Sequence, residues 1–307
     1  MEHIVCAICG PSKTAVLARK GIFEKNGPVI KFTNIICRNC GLVYRSPRES
    51  ADELNEIYKS IYLEKRHSLK DAETAEEFIS KLDPKNKGEQ IHDFLKDLLD
   101  KNSEILDIGS GLGLIGGFLH QKFGYKTKGI EPSELSARVS EKKYGMPVFH
   151  GTLDTFLASQ AVTNKFDCII LHHVFEHFAD PIQRLKELQG ILSEKGILYI
   201  EVPNILDFKK PITQFFDFLH LYNYSPATLG QVLKAGGYKV IKWNRDKKFR
   251  IQVVAAPLSH QDPEIVLHGK EGTERAKYII NYCRKKMLIE FLNRLLNPFR
   301  RIKRLLK

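Results

Sequence analysis

Between residues 90 and 257 the apolar positions fall into two kinds of short run that alternate along the chain. Runs of four to seven mostly β-prone residues at 104–108, 126–130, 147–150, 166–172 and 196–202 predict buried strands. Segments at 90–100, 113–123, 133–143 and 180–192 predict amphipathic helices between most of them. Strands alternating with helices in this way predict an α/β fold around a parallel, doubly wound sheet. The stretch "GYKVIKWNRDKKFRIQVVAAP" holds two further β-rich runs split by a charged turn, so an antiparallel hairpin is expected to finish the sheet.

Outside that region the pattern changes. Residues 1–48 carry Cys6-x-x-Cys9-Gly and Cys37-x-x-Cys40-Gly. A Cys-x-x-Cys turn lets two thiolates reach one ion, and the glycine that follows tolerates the positive φ such a turn needs. Two such pairs supply four sulfurs, which suits a closed, structural tetrahedral Zn²⁺ site with no open position for substrate. Cys168 and Cys283 stand alone in apolar surroundings and read as packing residues. Residues 49–89, rich in Glu, Lys and Asp with Tyr58 and Tyr62 one helical turn apart, read as a helical linker or lid. The main domain is then expected at 90–258 and a basic amphipathic helical tail at 259–307.

Composition adds little until charge is located. The chain of 307 residues is 43% hydrophobic and 27% charged, ordinary for a globular protein. No apolar run reaches the roughly 18 residues of a membrane span. The start, MEHIVCAICG, has no basic segment ahead of an apolar core, so a cytoplasmic location is expected. There thiols stay reduced, which favours metal over disulfides for the paired cysteines. The net charge is +12, yet residues 270–307 hold twelve Lys/Arg against three Asp/Glu, leaving only +3 for the rest. A body so near neutrality argues against nucleic acid as a partner. In the tail, Leu288, Phe291, Leu292, Leu295, Phe299, Ile302 and Leu306 recur at three- and four-residue steps among the cations. Asn297-Pro298 reads as a cap where two short helices meet. Such a tail packs on the body or in a dimer, or lies on the anionic inner leaflet of a membrane. The oligomeric state stays open.

The candidate chemistry starts at "ILDIGSGLGLIGG", residues 105–117, where Gly111 to Gly116 matches G-x-G-x-x-G behind a strand. Asp107, two residues ahead of Gly109, would oppose the anionic pyrophosphate of a dinucleotide. A carboxylate there suits a ligand that carries an ammonium and a sulfonium. Glu131, twenty residues after Gly111 at the end of the next strand, is placed to accept ribose hydroxyls. Together "ILDIGSGLGLIGGFL", "GIEPS" and "FDCIILHHVFEHFADPIQRLKELQGILSEKGILYIEVPN" resemble the class I methyltransferases that use S-adenosylmethionine (SAM), over roughly residues 90–256. The resemblance implies a Rossmann-like sheet. It places Asp107, Gly109, Gly111 and Gly113 around the methionine part of SAM, Glu131 at the ribose, and Thr152 and Leu153 near the adenine. His172 joins this cofactor set. The first acid past the third strand, Asp154, comes late for the adenine contact that many relatives make, and its role stays open.

Holding methyl and acceptor in line supplies most of the catalysis such a reaction needs. A base adds to it where the acceptor is a hydroxyl or an acidic C–H. The candidates are His173 and Glu176 after the fourth strand, and His220 and Tyr222 in "FLHLYNYSPATLGQVLKAGGY". Glu176-His177 also has a plain reading as a structural helix start. With the cysteine pairs ahead of it, the whole order resembles bacterial methyltransferases of nucleotide-linked deoxysugars and surface polysaccharides, and so implies a sugar or glycan acceptor. Two alternatives remain: a zinc-ribbon rRNA base methyltransferase, and a non-catalytic SAM-binding scaffold.

Overall fold

A seven-stranded sheet and a four-stranded one organise the computed structural model, which describes residues 1–22, 30–50, 53–54, 71–81, 84–159, 165–208, 211–244, 248–259 and 270–305. Tyr58 and Tyr62 lie outside the described residues. No described helix is long and apolar enough to cross a membrane.

In the large sheet the strands are β4 (Glu104–Ile108), β5 (Lys126–Glu131), β6 (Val148–His150), β7 (Phe166–His172), β8 (Leu192–Pro203), β10 (Tyr238–Trp243) and β11 (Arg250–Pro257). Their spatial order is β10-β11-β8-β7-β4-β5-β6. The run β6-β5-β4-β7-β8 is parallel, while β11 pairs antiparallel with both β8 and β10. The mixed sheet therefore ends in the expected hairpin, with its second strand innermost. Strands such as β4, EILDI, are buried on both faces, as crossover helices require.

The first helices are α1 (Ala72–Lys81) and α2 (Pro84–Leu95). The strands of the sheet are then linked by α3 (Gly116–Phe123), α4 (Glu134–Tyr144), α5 (Leu153–Ala158) and α6 (Pro181–Gln189). Local chemistry sets their ends. Ser133 caps α4 by accepting from the Ser136 amide, and Gly145 ends it in the left-handed region at φ 69°. Asp180 caps α6, with Pro181 at the first helical position. Three boundaries differ from the sequence reading. Helix α2 starts at Pro84; α3 starts at Gly116, because Gly113 sits at φ 78°; and α6 stops at Gln189, because Leu192 is already paired with Phe166.

The N-terminal module forms the smaller sheet from β1 (Thr14–Ile22), β2 (Ile30–Cys37) and β3 (Val43–Arg45). A fourth strand, β9 (Tyr222–Asn223), comes from far along the chain and pairs Val43 with Asn223 and Tyr44 with Tyr222. Arg45 cements this join. Its amide donates to Leu221 O (2.9 Å), and its buried guanidinium donates to Phe218 O and Glu49. The segment before β9 holds α7 (Ile212–Phe215), and α8 (Pro226–Ala235) follows behind a Ser225/Thr228 capping box.

The last helix, α9 (Lys270–Leu305), is a single element. The expected break at Asn297-Pro298 is thus corrected: the helix runs through Pro298, at the cost of one backbone hydrogen bond. Ala276, Ile279 and Cys283 of α9 are buried in one cluster with Leu17, Phe32 and Ile36 of the module and with Ile212, Phe215 and Phe216.

Candidate active site

The carboxyl ends of β4, β5 and β7 converge on the glycine loop, where the crevice of an open α/β sheet lies. Gly109, Gly111 and Gly113 all have positive φ (69°, 53° and 78°), which L side chains rarely adopt. A Cβ on Gly113 would stand 2.3 Å from Ser140 Oγ, whereas one on Gly111 would meet nothing within 4 Å. Gly113 is therefore a packing requirement, and Gly111 opens onto free space.

Two buried carboxylates face this loop. Asp107 Oδ2 accepts from the Gly116 amide at the start of α3 (2.9 Å). Burial pushes its pKa up to about 7, the Gly116 bond only partly offsets this, and the Glu131 charge adds to it. Glu131 accepts from the amides of Gly111 and Ser133, both at 2.8 Å, and is also held above the usual carboxylate range by burial. A buried acid near neutrality awaits a cation, and a carboxylate clasped by loop amides keeps further lone pairs for hydroxyl donors. Thr152 caps α5, and Leu153 is buried beside it, past the end of β6.

Across the loop, a second group of titratable side chains surrounds Glu176, in the short 3-10 turn Phe175–His177 that follows β7. His173 Nδ1 lies 3.2 Å from Glu176 Oε1, and His220 Nε2 lies 3.9 Å from the same oxygen. The His177 ring stacks edge-on to His220 at 5.1 Å, and its Nδ1 donates to Leu219 O (2.8 Å). Burial alone would raise the Glu176 pKa. The His173 hydrogen bond and the charges of His177, His173 and His220 outweigh it and hold the carboxyl down to about 2. Glu176 Oε2 is buried with no hydrogen-bond partner among the described residues. The backbone of His173 is left-handed (φ 56°), an uncommon state for a residue with a side chain. Val174, next to it, presses on Gly109, so the two groups of residues share a wall.

One participant was missed in the sequence. Glu201, fully buried near the end of β8, is paired in register with His172. Its carboxylate accepts from Arg250 (2.8 Å) and from the Tyr199 hydroxyl (2.9 Å), and lies 3.5 Å from His172 Nε2 and 3.9 Å from Lys87 Nζ. Burial lowers the His172 pKa to about 4, so its neutral ring faces Lys87 Nζ at 3.2 Å. An acid inside the otherwise apolar, buried run ILYIEVP was the available signal. The set His172, His173 and Glu201 is close enough to hold a metal, yet the Arg250 and Lys87 cations already occupy its charge.

Tyr222 lies apart from the histidines. It is buried in the small sheet between Tyr44 and Tyr224, with its hydroxyl 3.4 Å from Ala179 O.

In the module, the sulfur atoms of Cys6, Cys9, Cys37 and Cys40 all lie within 4.8 Å of one another. Tetrahedral Zn–S bonds of about 2.3 Å set sulfurs about 3.8 Å apart, so the cluster fits such an ion. The Cys6–Cys40 separation of 3.5 Å is far beyond a disulfide bond. Burial pushes Cys9 up to about 12, while hydrogen bonds from Cys40 and Cys6 hold Cys37 low. Four thiols this close do not ionise together without a cation among them.

The family model described as methyltransferase domain matches residues 78–242. Ubiquinone biosynthesis O-methyltransferase of Histophilus somni (strain 2336) is 28% identical over 109 residues, which are 33% of this chain and 45% of that protein. The chain thus spans less than half the length of this curated relative. Among solved structures, a SAM-dependent methyltransferase from Clostridium acetobutylicum ATCC 824 is similar with a TM-score of 0.45 and 14% identity, covering 68% of this chain and 99% of that one. The CcbJ methyltransferase from Streptomyces caelestis gives 0.45 at 13% identity, covering 56% and 90%. The glycopeptide N-methyltransferase MtfA gives 0.44 at 12%, covering 58% and 91%.

Proposed function

The chain belongs to the methyltransferase-domain family, and from that premise we propose that it is a SAM-dependent methyltransferase that acts on a sugar or glycan. The single observation that carries the acceptor side of this reading is the buried Glu176 carboxylate with three histidines around it, next to the glycine loop.

SAM supplies the methyl on a sulfonium that is already a strong electrophile. The chain's own part is to bind, align and move one proton. Asp107 would meet the ammonium of the methionine moiety, Glu131 would take the ribose hydroxyls, and Thr152 and Leu153 would border the adenine. On the acceptor side, Glu176 accepts the Nδ1–H of His173 and so fixes the tautomer that leaves Nε2 basic. That nitrogen takes the proton from a sugar hydroxyl or an acidic C–H as the methyl arrives. His220, in the segment between α7 and β9 that forms a cap, closes the site over the same carboxylate. His177 is a tie: its bond to Leu219 O holds the cap on the 3-10 turn. The order of the cysteine module, a linker and the SAM domain supports a sugar acceptor through its resemblance to sugar methyltransferases. The cysteine cluster is assigned to one structural Zn²⁺, held by Cys6, Cys9, Cys37 and Cys40.

The test is incubation of the pure protein with methyl-labelled SAM and a panel of nucleotide-sugars, glycans and rRNA. Label on a sugar or glycan is expected. Label on rRNA alone would overturn the acceptor assignment, and SAM binding with no transfer to any of them would point to a scaffold.

A further inference from the structure

The two halves of α9 carry apolar stripes on opposite sides. At 3.6 residues per turn, each residue advances about 100° around the helix. Ala276, Ile279 and Cys283, which bury themselves against the body, fall within about 60° of one another on that wheel. Leu288, Phe291 and Leu292 form a second stripe centred about 140° away from the first. The structure shows the consequence: these three side chains are 57%, 58% and 45% exposed. A straight helix that turns its first stripe inward must turn the second one outward, so the body of the protein cannot cover it.

The charge around the second stripe selects its occupant. From Arg284 to Lys307 the sequence holds nine Lys/Arg and one acid, Glu290. The sequence continues the same three- and four-residue spacing through Leu295, Phe299, Ile302 and Leu306. A second copy packed stripe to stripe would bring two strongly cationic faces together. A nucleic acid would leave the aromatic and aliphatic stripe in water. An anionic lipid surface satisfies both, because the apolar side chains enter the acyl boundary while Lys and Arg reach back to the headgroups.

We propose that residues 284–305 form an interfacial helix that docks on an anionic bilayer. Its root packs against Phe208 and Phe215, in the segment that leads to the cap. The inference stands on the helix alone and does not rest on the methyl-transfer reading.

The experiment is sedimentation of the full chain with vesicles of phosphatidylcholine alone, or of phosphatidylcholine mixed with phosphatidylglycerol. A Leu288→Glu/Phe291→Glu/Leu292→Glu variant is run beside it. These positions are exposed, so the variant is expected to keep the wild-type circular dichroism and melting curve. The wild type is expected to partition at least about tenfold better onto the anionic vesicles at low salt, with the difference shrinking as salt rises. The variant is expected to lose at least about tenfold. Wild-type protein left in the supernatant with anionic vesicles overturns the proposal, and so does a variant that sediments equally well. Light scattering that finds a dimer abolished by the variant, without vesicle binding, assigns the stripe to a second copy. Binding to a structured RNA without vesicle binding assigns the helix to nucleic acid.

Discussion

Raising the pH from about 5.5 to about 8 is expected to tighten SAM binding about 30-fold. The perturbation acts through Asp107, which is fully buried in the ligand-free protein with its pKa pushed up to about 7. Each unit between pH and pKa is a factor of ten, so only about 3% of the carboxyl is ionised at pH 5.5 and about 90% at pH 8. If the ammonium of the ligand requires the carboxylate, the apparent affinity follows that fraction, a difference of about 2 kcal/mol. The ligand-free protein should move the other way. A folded pKa above the ordinary carboxylate value means that Asp107's contribution to stability is complete below about pH 4. It is lost as the pH rises through 7, by up to about 4 kcal/mol. The rise in melting temperature on adding SAM should therefore widen with pH. Titration calorimetry in two buffers of different ionisation enthalpy is the assay, with about one proton released per SAM near pH 6. His172, titrating near 4, lies outside this window. Burial also holds Glu131 above the usual carboxylate range, and Asp107→Asn should remove most of the slope. An affinity that is flat across this range, or a full slope retained in Asp107→Asn, refutes the reasoning.

Three further outcomes are expected. Gly113→Ala should cost about 2–4 kcal/mol in urea unfolding, from a left-handed φ and a clash with Ser140 and Tyr144, whereas Gly111→Ala, open to free space, should cost only about 1 kcal/mol; equal costs would contradict the packing account. Glu176→Gln and His173→Ala should each lower turnover at least about tenfold while SAM affinity stays within about twofold, and a parallel loss of both would make the cluster merely structural. Cys37→Ser/Cys40→Ser should abolish zinc in metal analysis of the pure protein and reduce methyl transfer more than SAM affinity, since the module shares a sheet with the cap; full transfer without metal would sever that link.

Much of the large sheet could be read from the chain because its signals are local. Strands such as FDCIILH are mostly apolar runs of the right length, and Asp107, Gly111 and Glu131 fall at fixed offsets from strand ends. What escaped depends on contacts between distant residues. Strand β9 is two residues long, too short for any periodicity, and exists because Val43 and Tyr44 offer it a partner edge. Glu201 looked like one more strand residue until Arg250 of β11 and His172 of β7 were brought to it, beside Tyr199 of its own strand. Pro298 signals a helix start in isolation, but the hydrogen bonds of the surrounding turns carry α9 through it.

The placement of β9 changes how the cysteine module bears on the chemistry. A sheet that ended at β3 would leave the groups along that strand's outer edge unpaired. Here that edge is closed by Tyr222 and Asn223, two residues beyond His220, and Arg45 reaches on to Phe218 O. The cap that carries His220 is therefore fixed at both ends: to the 3-10 turn through the Leu221 amide on Glu176 O (2.9 Å) and His177 on Leu219 O, and to the module through β3. Cys37 ends β2 and Cys40 turns the chain into β3, so an ion held by the four thiolates rigidifies the strand on which the cap hangs. On this reading a metal held there would act on the acceptor side from a distance: it would do no chemistry, yet it would help set where His220 stands relative to Glu176.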